Sequence, residues 1–180
     1  MDLSTFLQYV ANALSLGSLY ALIAIGYSMV YGILRLINFA HGDVFMLGAY
    51  IAFYLVSSAL MPWWVAFLVA IGLTCLIGIG LERVAYRPLR DSPRISIMIS
   101  AIGASFLIEN LAIVLFDARP KAFKVPDIFS TVVNIGGVSI VSVSFFIPLI
   151  TFALLGILLF IVHKTKTGMA MRAVSTDQDA

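Results

Sequence analysis

The sequence predicts an all-α, polytopic transmembrane helix bundle with about five membrane helices, and three observations carry that prediction. Hydrophobic residues make up 62% of the chain and charged residues 11%, with a mean hydropathy of +1.07, whereas a soluble domain carries about 25% charged residues. Apolar runs near the length that crosses a hydrocarbon core, about 20 residues, recur along the chain. Small residues recur inside those runs, among them Gly17, Ala21 and Gly26 in the first and Gly72, Gly78 and Gly80 in the third. Lipid gives helices no hydrophobic reason to associate, so close backbone approach at small residues is what permits packing.

Taken in order, the expected spans are 13–34, 44–61, 63–81, 95–116 and 145–162. The excess of Lys and Arg in cytoplasmic loops orients them. With the N-terminus outside, Arg35, then Arg83, Arg87, Arg90 and Arg94, then Lys164, Lys166 and Arg172 fall inside. Only Arg119, Lys121 and Lys124 remain outside. No positively charged segment precedes the first run, so no cleaved signal peptide is expected. The net charge of +2 is small and its basic residues are dispersed between apolar runs, which excludes a nucleic-acid footprint.

The connectors differ in character. Residues 82–94 form a basic loop on the cytoplasmic side, which topology alone would explain. Residues 117–144 are long for a connection and mix Pro120, Pro126 and Gly136-Gly137 with the β-prone Val138–Val141, reading as an extracytoplasmic connector with a short hairpin or a structured cap. In 167–180, Met169, Ala170, Ala173 and Val174 share one helical face, as in a short amphipathic helix that rests on headgroups or docks to a partner.

Polar residues at membrane depth are costly and therefore informative. The stretch 35–43 interrupts two apolar runs and carries Asn38, His41, Gly42 and Asp43. It reads either as a plain turn opened by Gly42 or as a discontinuous helix whose polar groups line a path, since broken backbone is tolerated at depth only beside protein or a cavity. Glu109 sits inside the fourth run, lining a path or making a structural hydrogen bond. Cys75 has no partner cysteine and reads as a packing residue.

Catalytic signatures find no match. There is no GxxxxGK[ST] phosphate loop and no GxSxG elbow, and His41, His163 and Cys75 are too scattered for metal-ligand spacing. No enzyme activity, cofactor or metal is expected from the chain itself.

Three motifs carry a resemblance: NFAHGDVFMLGAY from Asn38, ERVAYRPLR from Glu82 and TGMAMRAVSTDQDA from Thr167. In this order they resemble LivH-type permease subunits of bacterial branched-chain amino acid ABC transporters. The resemblance implies a high-affinity, ATP-driven importer of the inner membrane, with the N-terminus periplasmic. It implies as partners a second related permease, two cytoplasmic ATPase subunits and a periplasmic substrate-binding protein. The stretch 168–180 matches the segment that couples to the ATPase, making Gly168, Arg172, Ala173 and Asp177 coupling candidates. Asn38, His41, Gly42, Asp43 and Glu109 become translocation-path candidates. Members of that family continue beyond this point with further membrane helices, so the 180 residues are expected to be the N-terminal part of one permease domain. Leucine, isoleucine and valine are the expected substrates; urea or short-chain amides are the alternative. An ATP-independent channel or secondary transporter would be a different class.

Overall fold

A computed structural model describes residues 3–34, 37–58, 61–123, 125–135 and 138–176. The described chain is nearly all helix: α1 Leu3–Leu34, α2 His41–Ser58, α3 Trp63–Leu81, α4 Arg94–Phe116, the single turn α5 Asp127–Ser130, α6 Val143–Lys164 and α7 Lys166–Thr176. Strands β1 Val132–Ile135 and β2 Val138–Val141 pair antiparallel, with Val132 opposite Val141. Four helical segments among the described residues are long and apolar enough to cross a membrane: Leu3–Gly32, Trp63–Leu89, Arg94–Phe116 and Val143–Lys164. This is a membrane protein.

Two compact units divide the chain, residues 1–35 with 125–180 and residues 36–124. In the first, α1 packs on α6 through small polar side chains. Ser15, Ser18 and Thr151 are buried there. The Thr151 hydroxyl donates to the carbonyls of Ile147 at 2.8 Å and Ser18 at 3.3 Å, while the Ser18 hydroxyl donates to Leu14 at 2.7 Å. Donating to carbonyls satisfies the Ser18 and Thr151 hydroxyls without water, as an apolar span requires. Pro148, buried inside α6, has no N–H to donate. The hairpin expected within 117–144 is present, closed by Ser142, whose N–H and hydroxyl both donate to the Thr131 carbonyl at 2.8 Å.

In the second unit α2 and α3 form a hairpin, and α4 lies against α2 and the turn Glu82–Tyr86 that follows α3. Gly48 permits the close approach of α2 to α3: a Cβ at that position would lie 2.8 Å from Thr74 Oγ1. Ala66 and Ala70 of α3 and Ile97, Ala101 and Ala112 of α4 are buried. Short side chains thus make the interior, and the large apolar ones face outward, the inverse of a soluble core and the arrangement a lipid solvent favours.

Several boundaries differ from those read in the sequence. Helix α1 starts at Leu3, not 13, because Leu3, Phe6, Leu7 and Val10 continue the run and neither Gln8 nor Asn12 breaks a helix. Helix α2 is shifted by about one turn, to His41–Ser58, and is absent from the four spanning segments. The expected basic loop does not begin at Glu82: the chain stays helical through a π turn, Glu82–Tyr86, and a 3-10 turn, Arg87–Leu89. An exposed Arg90–Glu82 ion pair at 2.8 Å spans those turns and contributes at most about 1 kcal/mol. Cys75 is not buried packing; it is exposed, lining an apolar groove with Phe45, Gly48, Phe67 and Thr74.

Candidate functional site

The polar stretch before α2 is held from two sides. Residues Ile37 and Asn38 have no regular structure and Phe39-Ala40 turn, leading into α2 through His41 N–H to Asn38 C=O at 3.2 Å and Val44 N–H to Ala40 C=O at 3.0 Å. Ala40 is fully buried at the turn. Tyr86, the last residue of the π turn, donates its hydroxyl to Asn38 Oδ1 at 2.6 Å. Ser105 of α4 donates its hydroxyl to Asp43 Oδ2 at 2.5 Å. The π turn is anchored in its own right, because Ser100 of α4 donates to the Ala85 carbonyl at 2.8 Å. Single π turns inside helices recur at functional sites; here one aims Tyr86 at the break.

The depth of this cluster follows from where its partners sit. Ser105 is the midpoint of α4, Arg94–Phe116, about 16 Å from either end at 1.5 Å per residue. Thr74, which faces Gly48 of α2, is near the middle of the spanning segment Trp63–Leu89. The Ser105 bond therefore places the first turn of α2 level with the middle of α4, while Gly48, two turns further on, meets the middle of the Trp63–Leu89 segment. Helix α2 therefore starts beside the interior of α4, with His41 and Asp43 in its first turn. Asp43 in the first turn complements the positive helix N-terminus, and the Ser105 hydroxyl supplies a second source of stabilisation.

The other sequence-predicted residues fall as follows. His41 is half-buried in the first turn of α2. Gly42 is exposed and helical, and a Cβ added there would have no atom within 4 Å, so the turn does not depend on its being glycine. Glu109 is exposed one turn beyond Ser105 on α4, outside the Asn38–Asp43 cluster. Asn110 beside it turns its amide back to the Phe106 carbonyl at 2.7 Å.

The coupling candidates lie in the first unit, at the corner between α6 and α7. A single extended residue, Thr165, makes that corner. Its hydroxyl donates to the Ile161 carbonyl at 2.6 Å and accepts the Gly168 N–H at 3.1 Å, so one side chain closes α6 and caps α7. Gly168 is buried against α6, and a Cβ there would lie 2.2 Å from the Ile161 oxygen and 2.3 Å from the Val162 oxygen. Beyond this fixed start, Met169 is 62% exposed, and Arg172 and Ala173 are exposed along the remaining turns. Asp177 lies outside the described residues.

Sequence reasoning missed Tyr86, Ser105 and Thr165. Tyr86 stood in plain view in ERVAYRPLR, yet nothing in the spelling announces a π turn. Ser105 carried a usable signal, a hydroxyl in an otherwise apolar run, but only its partner gives it meaning.

Comparison with known proteins agrees with the motifs. The family described as branched-chain amino acid transport system / permease component matches residues 9–180. The high-affinity branched-chain amino acid transport system permease protein BraD of Pseudomonas aeruginosa is 39% identical over 185 aligned positions, covering 96% of this chain and 60% of the relative. The permease proteins LivH of Salmonella typhimurium and of Escherichia coli K12 are each 38% identical, over 96% of this chain and 59% of the relative. The chain thus spans about 60% of the length of these relatives. No solved structure matches it.

Proposed function

Since the chain belongs to the branched-chain amino acid transport system / permease component family, we propose that it forms part of the translocation path of an ATP-driven importer of leucine, isoleucine and valine. The observation that carries this reading is the Ser105–Asp43 hydrogen bond, which ties the start of α2 to the midpoint of α4. Helices that begin at mid-depth put polar backbone ends and side chains beside a substrate route. Asn38, His41, Gly42 and Asp43 line that route, with Tyr86 and Ser105 holding the first and last of them in position. Glu109, ionisable and exposed within a span, faces the same route or the protein around it. Relatives named for branched-chain amino acids favour those substrates over urea or amides.

Energy comes from outside the chain. Two cytoplasmic ATPase subunits engage α7, where Gly168 and Thr165 fix the angle to α6 and Arg172 and Ala173 face the partner, with Asp177 a further coupling candidate beyond the described residues. A second related permease completes the path, and a periplasmic binding protein delivers substrate. The membrane is the bacterial inner membrane, with the N-terminus periplasmic and the basic stretch that follows Leu89 cytoplasmic.

The test is ATP-dependent uptake of labelled leucine and of labelled urea in vesicles holding the complete transporter. Leucine uptake is expected, falling about tenfold or more in Asp43→Ala and Asn38→Ala with subunit assembly unchanged. Import of neither solute, or uptake indifferent to Asp43→Ala, refutes the path reading. Uptake unchanged by Arg172→Glu refutes coupling through α7.

A further inference from the structure

The widened turn that carries Tyr86 stands immediately before a proline, Pro88. In a regular α-helix the Pro88 ring would collide with the Val84 carbonyl four residues back, and that carbonyl would receive no N–H from it. The chain answers upstream. Arg87, the residue before the proline, keeps helical φ −57° and ψ −41°, although a following proline disfavours that region. Its N–H bonds to the Glu82 carbonyl, one residue further back than in an α-helix. Tyr86 takes up the difference, with φ −108° against about −63° in an α-helix. The 3-10 turn Arg87–Leu89 then holds Pro88 at its start, where no N–H is required of it. A proline within a helix announces an interruption but not its form; here the form is one extra residue in the turn Glu82–Tyr86.

One extra residue matters because of what it aims. Each residue advances an α-helix by about 100°, so absorbing the surplus would swing Tyr86 by about a quarter turn around the axis. Its hydroxyl, 2.6 Å from Asn38 Oδ1, would leave that half-buried amide without its donor. Ser100 of α4 grips the same turn next to Tyr86, donating to the Ala85 carbonyl at 2.8 Å. A hydroxyl can rotate to follow a carbonyl that moves, whereas a proline ring cannot make way. Ser100 therefore secures the wide turn, and Pro88 creates it.

We propose that Pro88 is a positioning residue for the polar break: its ring forces the π turn, and the π turn holds Tyr86 on Asn38. Pro88 is itself exposed, and its action on Asn38 runs through the winding of the chain between them. With alanine at 88, the new N–H reaches the Val84 carbonyl, α winding continues from Trp63 towards Leu89, and Tyr86 turns away from Asn38. The part of Pro88 in transport rests on the translocation-path reading; its control of the winding does not.

The experiment labels the 180-residue chain with 3-fluorotyrosine in nanodiscs and reads it by fluorine NMR. Of the seven tyrosine resonances, the one missing in Tyr86→Phe belongs to Tyr86, and Asn38→Ala marks its position without the hydrogen bond. In Pro88→Ala the resonance is expected to move to that position, and in Ser100→Ala to move less, with helix content kept by circular dichroism. A resonance unmoved in Pro88→Ala, or moved further in Ser100→Ala, overturns the proposal. In vesicles holding the complete transporter, ATP-dependent leucine uptake is expected to fall about fivefold in Pro88→Ala and in Tyr86→Phe, the equivalent of one neutral hydrogen bond. Pro88→Ala/Tyr86→Phe is expected to lose no more than either alone; independent losses, multiplying to about 25-fold, would overturn action through Tyr86. A resonance that moves with uptake unchanged bears out the winding and refutes the path reading, so the two fail separately.

Discussion

Replacing Gly168 by alanine sets two effects of opposite sign against each other. Considered alone, α7 should gain, because alanine favours a helix interior over glycine by about 1 kcal/mol. In the folded corner the new methyl would sit 2.2 Å from the Ile161 oxygen and 2.3 Å from the Val162 oxygen, whereas ordinary contact begins at 3.4 Å. Both obstacles are backbone atoms of α6, so no side chain can rotate out of the way. Helix α7 would have to move by about 1 Å, and overpacking of this kind costs typically about 1–3 kcal/mol. The clash therefore outweighs propensity by up to about 2 kcal/mol, or roughly 30-fold in the docking equilibrium. Hydrogen exchange of the α7 amides in nanodiscs reads this directly. Exchange is expected to accelerate by up to about 30-fold in Gly168→Ala, with α1 and α6 unchanged. Unchanged or slower exchange in α7 would refute the role of Gly168 as the contact that fixes the corner.

Two further substitutions probe the second unit. Ser105→Ala removes the hydroxyl donor to the Asp43 carboxylate and should lower stability by about 1.5–3 kcal/mol, the range for hydrogen bonds to charged groups, read as a lower midpoint in a denaturant titration; a shift under about 0.5 kcal/mol would mean that the bond contributes little. Gly48→Ala brings a methyl 2.8 Å from Thr74 Oγ1 and should reduce the melting temperature in detergent, and Gly48→Ala/Thr74→Ala should restore it; additive losses in the double variant would place the strain elsewhere.

The fold class was written plainly in the sequence, because hydropathy over long windows and the recurrence of small residues are local properties. The boundaries of α4 and α6 were legible for the same reason, each within about two residues. Helix α2 was harder. Val44 to Met61 is an apolar run of nearly spanning length, and only the partners of Asn38 and Asp43 reveal that its helix starts at His41 against the midpoint of α4. Those partners lie 48 and 62 residues away in sequence, beyond any periodicity argument. The importance of Gly168 was legible as part of a motif, but its physical reason, the backbone of α6 one corner away, was not. The direction of the error at Glu82 is also instructive: a cluster of arginines reads as loop, yet arginine is a good helix former and the chain carries on winding to Leu89.

The central claim is that the polar break before α2 lies at mid-depth, and spin-label depth measurement in a bilayer tests it most directly. In a Cys75→Ser background, single labels are attached in turn at Gly42, where a side chain meets open space, and at Arg94, Phe106 and Phe116 along α4. The ratio of oxygen to water-soluble nickel relaxation gives the depth of each. A mid-depth break predicts that the label at Gly42 matches Phe106 in distance from both surfaces and lies well below Arg94 and Phe116. A label at Gly42 that reports the interface, level with Arg94 or Phe116, would contradict it.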